Sequence, residues 1–189
     1  MSSRPAYLTP AEYLEIERRA ETRSEYFNGE MFAMAGGTDK HASITLNVAA
    51  ELRQRLRSKP CRVYSTDLRL RVTPTGLYAY PDVMVICGDV QYADGHHDIV
   101  LNPRLIVEVL SRSTKSYDLG EKFEHYRSLP SLTEYLTVAQ DKPAVDQRTR
   151  QQDVWVLKTY NDLSQVIELT SIGASLPLSE IYDRIDFSE

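Results

Sequence analysis

The chain has 189 residues, of which 42% are hydrophobic and 26% charged, and its formal net charge at pH 7 is −5. This composition excludes a disordered or collagen-like protein. The negative charge argues against a protein that coats nucleic acid nonspecifically, because that task needs a broad cationic surface. No segment approaches the ~20 apolar residues that cross a bilayer, and residues 1–5 lack the apolar core of a signal peptide. We therefore expect a cytoplasmic protein in which residues 1–189 form a single α/β domain.

Three elements are predicted before residue 60. Thr9 and Pro10 are typical of a helix N-terminus, as the N-cap and the first helical position. Asn28-Gly29 lies between two alternating segments and predicts a tight β-hairpin. From Asp39 to Arg57 the apolar residues recur at a four-residue step, which predicts a long amphipathic helix. Its buried face should consist of Ile44, Val48, Leu52 and Leu56.

The C-terminal end of this helix is cationic, with Arg53, Arg55, Arg57 and Lys59 close together. Positive charges near a helix C-terminus interact favourably with the helix macrodipole, and this is the simpler explanation. The second explanation is contact with phosphate groups. The sequence leaves both open.

Short apolar or alternating segments predict the strands. They cover residues 61–64, 68–72, 80–87, 103–110, 134–138, 144–147, 154–157 and 166–169, and the last three should form an antiparallel group. Residues 88–102 are polar and predict an exposed loop. A helix over residues 118–128 and a short helix over residues 179–185 complete the predicted elements.

The chain contains two cysteines, Cys61 and Cys87, each within an apolar, strand-like segment. In the reducing cytoplasm, buried free thiols are more common than a disulfide or a metal site. We therefore expect both to be free thiols.

Two of the predicted strands each carry one carboxylate. Asp82 follows Pro81 at the start of one strand, and Glu108 is embedded among apolar residues in the other. Burying an unpaired carboxylate costs several kcal/mol or more, so such a group is normally neutralised, paired or bound to a cation. If the two strands are neighbours, both carboxylates converge on one point, and two oxygen ligands suit a hard cation such as Mg²⁺.

The order of these elements resembles the core of the PD-(D/E)xK nuclease superfamily and, more narrowly, the Uma-two family of restriction-endonuclease-like proteins. The segments that carry the resemblance are residues 26–31 (YFNGEM), 80–83 (YPDV), 103–111 (PRLIVEVLS) and 118–122 (DLGEK) with Tyr126. The resemblance implies an α/β fold with a restriction-endonuclease-like core, in which a mixed β-sheet is flanked by helices and additional antiparallel strands lie at the C-terminal end.

In that superfamily the Asp and the Glu hold divalent cations, and a lysine two residues after the Glu contacts the attacking water. Asp82 and Glu108 match the two carboxylates, but Leu110 stands at the lysine position. Resemblance to the narrower family implies that Lys122, from the following helix, replaces it. The alternative is an exposed Asp118–Lys122 ion pair, which is worth a few tenths of a kcal/mol.

Two further candidates follow from the resemblance. Glu30, after the Asn-Gly turn, matches the extra acidic residue that superfamily members often supply from the N-terminal region. His41, near the start of the long helix, matches a family site residue. For each the alternative is an ordinary surface residue.

The leading functional hypothesis is a Mg²⁺-dependent endonuclease that acts on DNA, with Mn²⁺ as a substitute cation. The alternative is a catalytically impaired nuclease fold that binds nucleic acid or protein, and hydrolysis of another phosphoester is a third possibility. Cleavage of a duplex usually needs two active sites, so the resemblance implies a homodimer. We expect the interface at the terminal strands, around Trp155, Tyr160, Val166 and Ile167.

Overall fold

Two β-sheets and a small pair of strands form the framework of the fold. The computed structural model describes residues 7–111 and 115–188. The helices are α1 (Pro10–Glu17), α2 (Asp39–Arg55), α3 (Lys115–Leu119), α4 (Glu121–Tyr126) and α5 (Leu178–Ile181). The strands are β1 (Ser24–Phe27), β2 (Glu30–Ala33), β3 (Cys61–Ser65), β4 (Arg69–Val72), β5 (Leu77–Ala79), β6 (Val83–Cys87), β7 (Ile99–Val100), β8 (Leu105–Leu110), β9 (Glu134–Ala139), β10 (Val145–Gln151), β11 (Val154–Tyr160), β12 (Val166–Leu169) and β13 (Ala174–Pro177).

The larger sheet has six strands in the order β11-β10-β9-β8-β6-β3. Strands β8 and β9 are parallel, whereas all other neighbours are antiparallel, so the sheet is mixed. Strands β8 and β9 are buried along their whole length, and β6 is buried up to Ile86. Burial on both faces explains why residues 83–86 and 105–110 are nearly continuous apolar runs rather than alternating ones.

Helix α2 covers one face of this sheet. Its predicted apolar positions are all buried, and they pack against Val83, Val85, Leu105 and Val107. The four-residue apolar step therefore predicted both the helix and its buried side. The helix ends at Arg55 rather than Arg57.

Helix α4 and the smaller sheet cover the opposite face. The smaller sheet has five strands in the order β2-β1-β5-β4-β7. Met84 and Ile106 of the larger sheet pack here with Phe123 and Tyr126 of α4. Because side chains alternate along a strand, Glu108 shares the face of Ile106 and points toward α4.

The predicted signals at the N-terminus are confirmed. The Thr9 hydroxyl accepts a hydrogen bond from the Glu12 backbone amide, and the Glu12 carboxylate accepts one from the Thr9 backbone amide, which completes a capping box. Asn28 and Gly29 both have positive φ, 48° and 88°, as a tight two-residue hairpin turn requires. The turn pairs Phe27 with Glu30.

Several predicted boundaries were wrong. The helix expected over residues 118–128 is two short helices, α3 and α4, separated by Gly120. The expected loop over residues 88–102 contains strand β7, which pairs in parallel with β4.

At the expected dimer interface, Tyr160 and Ile167 are core residues with 3% and 0% exposure, so neither side chain is available to a partner.

The prediction of free thiols was also wrong, because Cys61 and Cys87 form a disulfide. Strands β3 and β6 are antiparallel neighbours, and their register places the two cysteines directly opposite each other. Sequence spacing alone does not reveal this pairing, since the two cysteines are 26 positions apart in the chain.

We predict that the oxidised protein, unfolded in guanidinium without reductant, has no thiol that reacts with a chromogenic disulfide reagent. Reduction should lower the free energy of unfolding by about 3 kcal/mol, because the cross-link restricts the unfolded chain. The Cys61→Ser, Cys87→Ser variant is the control, and reductant should not change its stability. Two reactive thiols in the untreated protein would contradict the disulfide.

Candidate active site

Asp82 and Glu108 lie side by side, as the sequence predicted for carboxylates on neighbouring strands. Val83 pairs with Val107 across the antiparallel β6–β8 ladder. Asp82, which precedes Val83, therefore faces Glu108, which follows Val107. The Asp82 backbone amide is 3.4 Å from Glu108 Oε2, and the Val109 backbone amide donates to Asp82 Oδ2 at 2.7 Å. Both side chains are buried, with 8% and 3% residue exposure. The two strands therefore hold the carboxylates in a fixed relation.

Lys122 reaches this pair from α4. Its Nζ atom lies 3.1 Å from Glu108 Oε1, 3.0 Å from Glu25 Oε1 and 3.6 Å from Asp118 Oδ1. Lys122 and Asp118 are 6% and 3% exposed, so they do not form the exposed surface pair considered as the alternative. Leu110, at the position where the superfamily has its lysine, is buried in β8. The side chain from the helix thus supplies the ammonium that the strand lacks.

The acidic residue that the N-terminal hairpin brings to this cluster is Glu25. Its carboxylate contacts Lys122 and lies 3.5 Å from the Tyr80 backbone amide. Glu30 is exposed on the edge strand β2, opposite Phe27, and within residues 7–111 and 115–188 it forms no ion pair with the cluster. The sequence could not distinguish the two glutamates, because the choice depends on how β1 docks on β5.

Two aromatic side chains orient the cluster. The Tyr126 hydroxyl donates to Glu108 Oε1 at 2.9 Å and is buried. The Tyr80 hydroxyl donates to Glu17 Oε1 at 2.8 Å and accepts from Arg69 Nε at 2.8 Å. This second network anchors the chain two residues before Asp82. The family resemblance includes Tyr126, but the sequence gave no signal for Glu17 or Arg69.

His41 lies beside Asp82, with Nε2 3.3 Å from Asp82 Oδ2. The start of α2 fixes its position, since the His41 backbone amide donates to the Thr38 hydroxyl, the N-cap of the helix. The hydrogen bond with Asp82 raises the pKa of the imidazole above its ordinary value, although burial opposes the shift. His41 is therefore part of the cluster.

The cluster contains more acidic than basic groups. Three carboxylates, from Glu25, Glu108 and Asp118, contact the Lys122 ammonium, and a fourth, Asp82, lies beside Glu108. Burial raises the pKa of Glu108 well above its ordinary value, and Asp82 raises it further while Lys122 opposes the shift. Burial lowers the pKa of Lys122, but the surrounding carboxylates together raise it well above its usual range. A further positive charge would relieve this imbalance.

The arrangement fits a divalent cation that is only partly coordinated by protein. Among the described residues, no group of three or more carboxylate, imidazole or thiol side chains is arranged to hold a metal ion by itself. Mg²⁺ is usually bound by one or two carboxylates together with waters and substrate phosphates. The oxygens of Asp82 and Glu108 match that donor set.

Comparison with known proteins places the chain in a family. Residues 10–179 match the Uma2 family, whose description is "Putative restriction endonuclease". The chain belongs to the Uma2 family. Two similar proteins come from Synechocystis sp. and are named "Uncharacterized protein slr1290" and "Uncharacterized protein sll1609". The first is 34% identical over 95% of this chain and 94% of its own length, and the second is 38% identical over 70% and 75%.

A solved structure confirms the fold class of this Uma2 protein. A crystal structure described as a putative nuclease belonging to DUF820, from Anabaena variabilis, superimposes with a TM-score of 0.75 over 93% of this chain and 97% of that one. Their sequences are 15% identical, so the likeness concerns the fold alone. The two proteins share the mixed α/β architecture. In the described part of the chain, no helix is long and apolar enough to span a membrane.

We predict that Asp82→Asn lowers the pKa of His41 toward the ordinary histidine value of 6.5, because the substitution removes the charged partner. NMR titration of the imidazole signals measures this pKa directly. Since the folded-state pKa is raised, the contribution of this pair to stability is present below pH 6.5 and is lost as the pH rises through the folded value.

Asp39→Asn is the matched control, because Asp39 is an exposed carboxylate in the first turn of the same helix. It should change the pKa of His41 much less. Equal shifts in the two variants would show that His41 responds to the general charge of the helix end rather than to Asp82.

Proposed function

We propose that this Uma2 protein is a Mg²⁺-dependent endonuclease that hydrolyses phosphodiester bonds in DNA. The observation that carries the proposal is the buried ion pair between Glu108 and Lys122, with Asp82 alongside. An exposed ion pair needs no functional explanation. Burying carboxylates around one ammonium costs free energy of desolvation, and a role in catalysis would explain why the protein keeps this arrangement. Membership of a family described as "Putative restriction endonuclease" supports the same reaction class.

Asp82 and Glu108 would hold the cation. When bound, it would supply Lewis acidity that lowers the pKa of a water and offsets the charge that develops on the phosphoryl oxygens. Tyr126 keeps the Glu108 carboxylate in one orientation through its hydrogen bond. His41 does the same for Asp82 from the opposite side.

Lys122 acts through its charge in this proposal. Because three carboxylates raise its pKa well above the usual range, the amine is protonated at neutral pH. A protonated amine orients the attacking water and stabilises negative charge in the transition state, but it does not accept a proton. Glu25 and Asp118 also contact the ammonium, at 3.0 Å and 3.6 Å, and help to hold it in place.

The alternative, a catalytically impaired binding module, was based on Leu110 at the usual lysine position. The position of Lys122 weakens that argument, because an ammonium is present 3.1 Å from Glu108. A module that only binds DNA has no physical need for three buried carboxylates, from Asp82, Glu108 and Asp118, because they repel the phosphate backbone.

We also propose that the protein cleaves as a homodimer, so that two sites act on the two strands of a duplex. Strand β11 supports this proposal. It is the outermost strand of the six-stranded sheet, and Val154, Val156 and Leu157 are exposed on it. An exposed apolar edge strand of this kind is suited to pairing with a second copy.

The proposal predicts that Lys122→Met lowers the rate of Mg²⁺-dependent nicking of supercoiled plasmid by about 100-fold or more, in the range typical for loss of a positioned acid–base or charged group. The affinity for Mn²⁺ should not fall, because the substitution removes a positive charge beside the metal ligands. Calorimetric titration with Mn²⁺ measures this affinity.

Lys115→Met is the control, since Lys115 is an exposed lysine at the start of α3, the helix that precedes α4. It should nick at the wild-type rate. Wild-type turnover by Lys122→Met would restrict Lys122 to a structural role, and thermal unfolding of both variants shows whether a loss reflects misfolding.

A further inference from the structure

A cationic cavity lies at the end of α2 that is remote from the carboxylate cluster. Its volume is about 380 Å³, and it is lined by residues from the last turns of α2, the following turn and the edge strand β3. Four of these residues are cationic, Arg53, Arg57, Lys59 and Arg62, and none is acidic. A concave surface with this charge attracts anions.

The positive charges of Arg53 and Arg57 are not neutralised by carboxylates among the described residues. Both side chains are exposed, and in the described part of the chain neither forms an ion pair with a carboxylate. Arg55, between them, differs because it pairs with Glu51 at 2.5 Å and faces the larger cavity of about 580 Å³, which also contains Glu168. The Lys59 ammonium is fixed by hydrogen bonds to the carbonyls of Ile172 and Gly173. The two helix arginines, together with the exposed Arg62 of β3, are therefore the cationic groups available to a ligand.

Helix α2 connects this cavity to the candidate active site. His41, in the first turn, contacts Asp82, and Arg53 lies 12 residues further along the same helix. At a rise of ~1.5 Å per residue, the two positions are about 18 Å apart along the helix axis. Successive phosphates along one DNA strand are ~3.4 Å apart in rise, so for a duplex that runs parallel to α2 this separation would correspond to roughly five nucleotides.

We infer that the cavity lined by Arg53 and Arg57 is a second DNA-contact site that binds backbone phosphates about five nucleotides from the bond that is cut. The inference rests on the proposed function and adds to it a place where the duplex is held. The chain needs such a site, because its net charge is −5 and its active site is rich in carboxylates. Local arginines overcome the repulsion that these charges exert on DNA. The macrodipole alone does not explain the arginines, since it favours positive charge at the helix end but does not create a cavity free of acidic groups.

The test is the salt dependence of duplex binding. Fluorescence anisotropy with a labelled 30-base-pair duplex gives the dissociation constant of the wild type and of Arg53→Gln, Arg57→Gln at several salt concentrations, in EDTA so that no cleavage occurs. Each phosphate contact contributes ~0.9 to the slope of log K against log salt, so the variant should have a slope smaller by about 2. Arg53→Lys, Arg57→Lys should keep the wild-type slope, because the charge is retained.

The matched control removes two exposed arginines that lie outside the cavity, Arg19 and Arg184. Arg19→Gln, Arg184→Gln has the same change in net charge and should leave the slope unchanged. Equal slopes for wild type and Arg53→Gln, Arg57→Gln, or no binding of the duplex by the wild type, would overturn the inference. Displacement of the duplex by micromolar inorganic phosphate would also overturn it, because the cavity would then serve a small phosphate compound.

Failure of this inference is distinguishable from failure of the proposed function. The variant Arg53→Gln, Arg57→Gln retains Asp82, Glu108 and Lys122, so its Mn²⁺ affinity should equal that of the wild type. A reduced salt slope without any metal binding would support the DNA-contact site and reject the nuclease. Metal binding and nicking with an unchanged slope would support the nuclease and reject the contact site.

Discussion

The ion pair between Glu108 and Lys122 is the interaction on which the candidate active site depends. Removing either charge from water costs several kcal/mol, and a buried pair recovers this cost only with good geometry and further hydrogen bonds. Here the Glu108 carboxylate also accepts a hydrogen bond from Tyr126, and Lys122 contacts Glu25 and Asp118 as well. The remaining excess of negative charge is the physical reason to expect a cation.

This cluster also explains the arrangement of the chain. The β6–β8 register brings Asp82 and Glu108 together, and the hairpin strand β1 supplies Glu25. Helix α4 supplies Lys122, and the N-terminal turn of α2 supplies His41. Elements that are distant in sequence, and that lie on both sides of the larger sheet, therefore converge on the Asp82–Glu108 pair.

The sequence predicted the parts of the site that depend on local patterns. Asp82 and Glu108 each lie in an apolar run of strand length, so their burial followed from their neighbours. The burial of Lys122 did not follow, because spacing on a helix says which residues share a face but not whether that face meets a sheet. The recruitment of Glu25 rather than Glu30 depends on strand docking, which no local pattern encodes.

The same limit applies to the two cysteines. Each segment predicted a strand, and each strand was confirmed, yet the disulfide depends on β3 and β6 being neighbours in one register. The expectation of free thiols relied on a cytoplasmic location, which remains a prediction. The local sequence around each cysteine predicted a buried free thiol, whereas the β3–β6 register places the two cysteines opposite each other, where they form a disulfide.

The measurement that tests the central claim most directly is Mn²⁺ binding by the wild type and by Asp82→Asn, Glu108→Gln. Calorimetry or electron paramagnetic resonance detects the ion without knowledge of the DNA substrate. The account predicts binding by the wild type that the double variant loses while it remains folded. Equal binding by both proteins, or no binding by the wild type at millimolar Mn²⁺, would contradict a metal site at these two carboxylates.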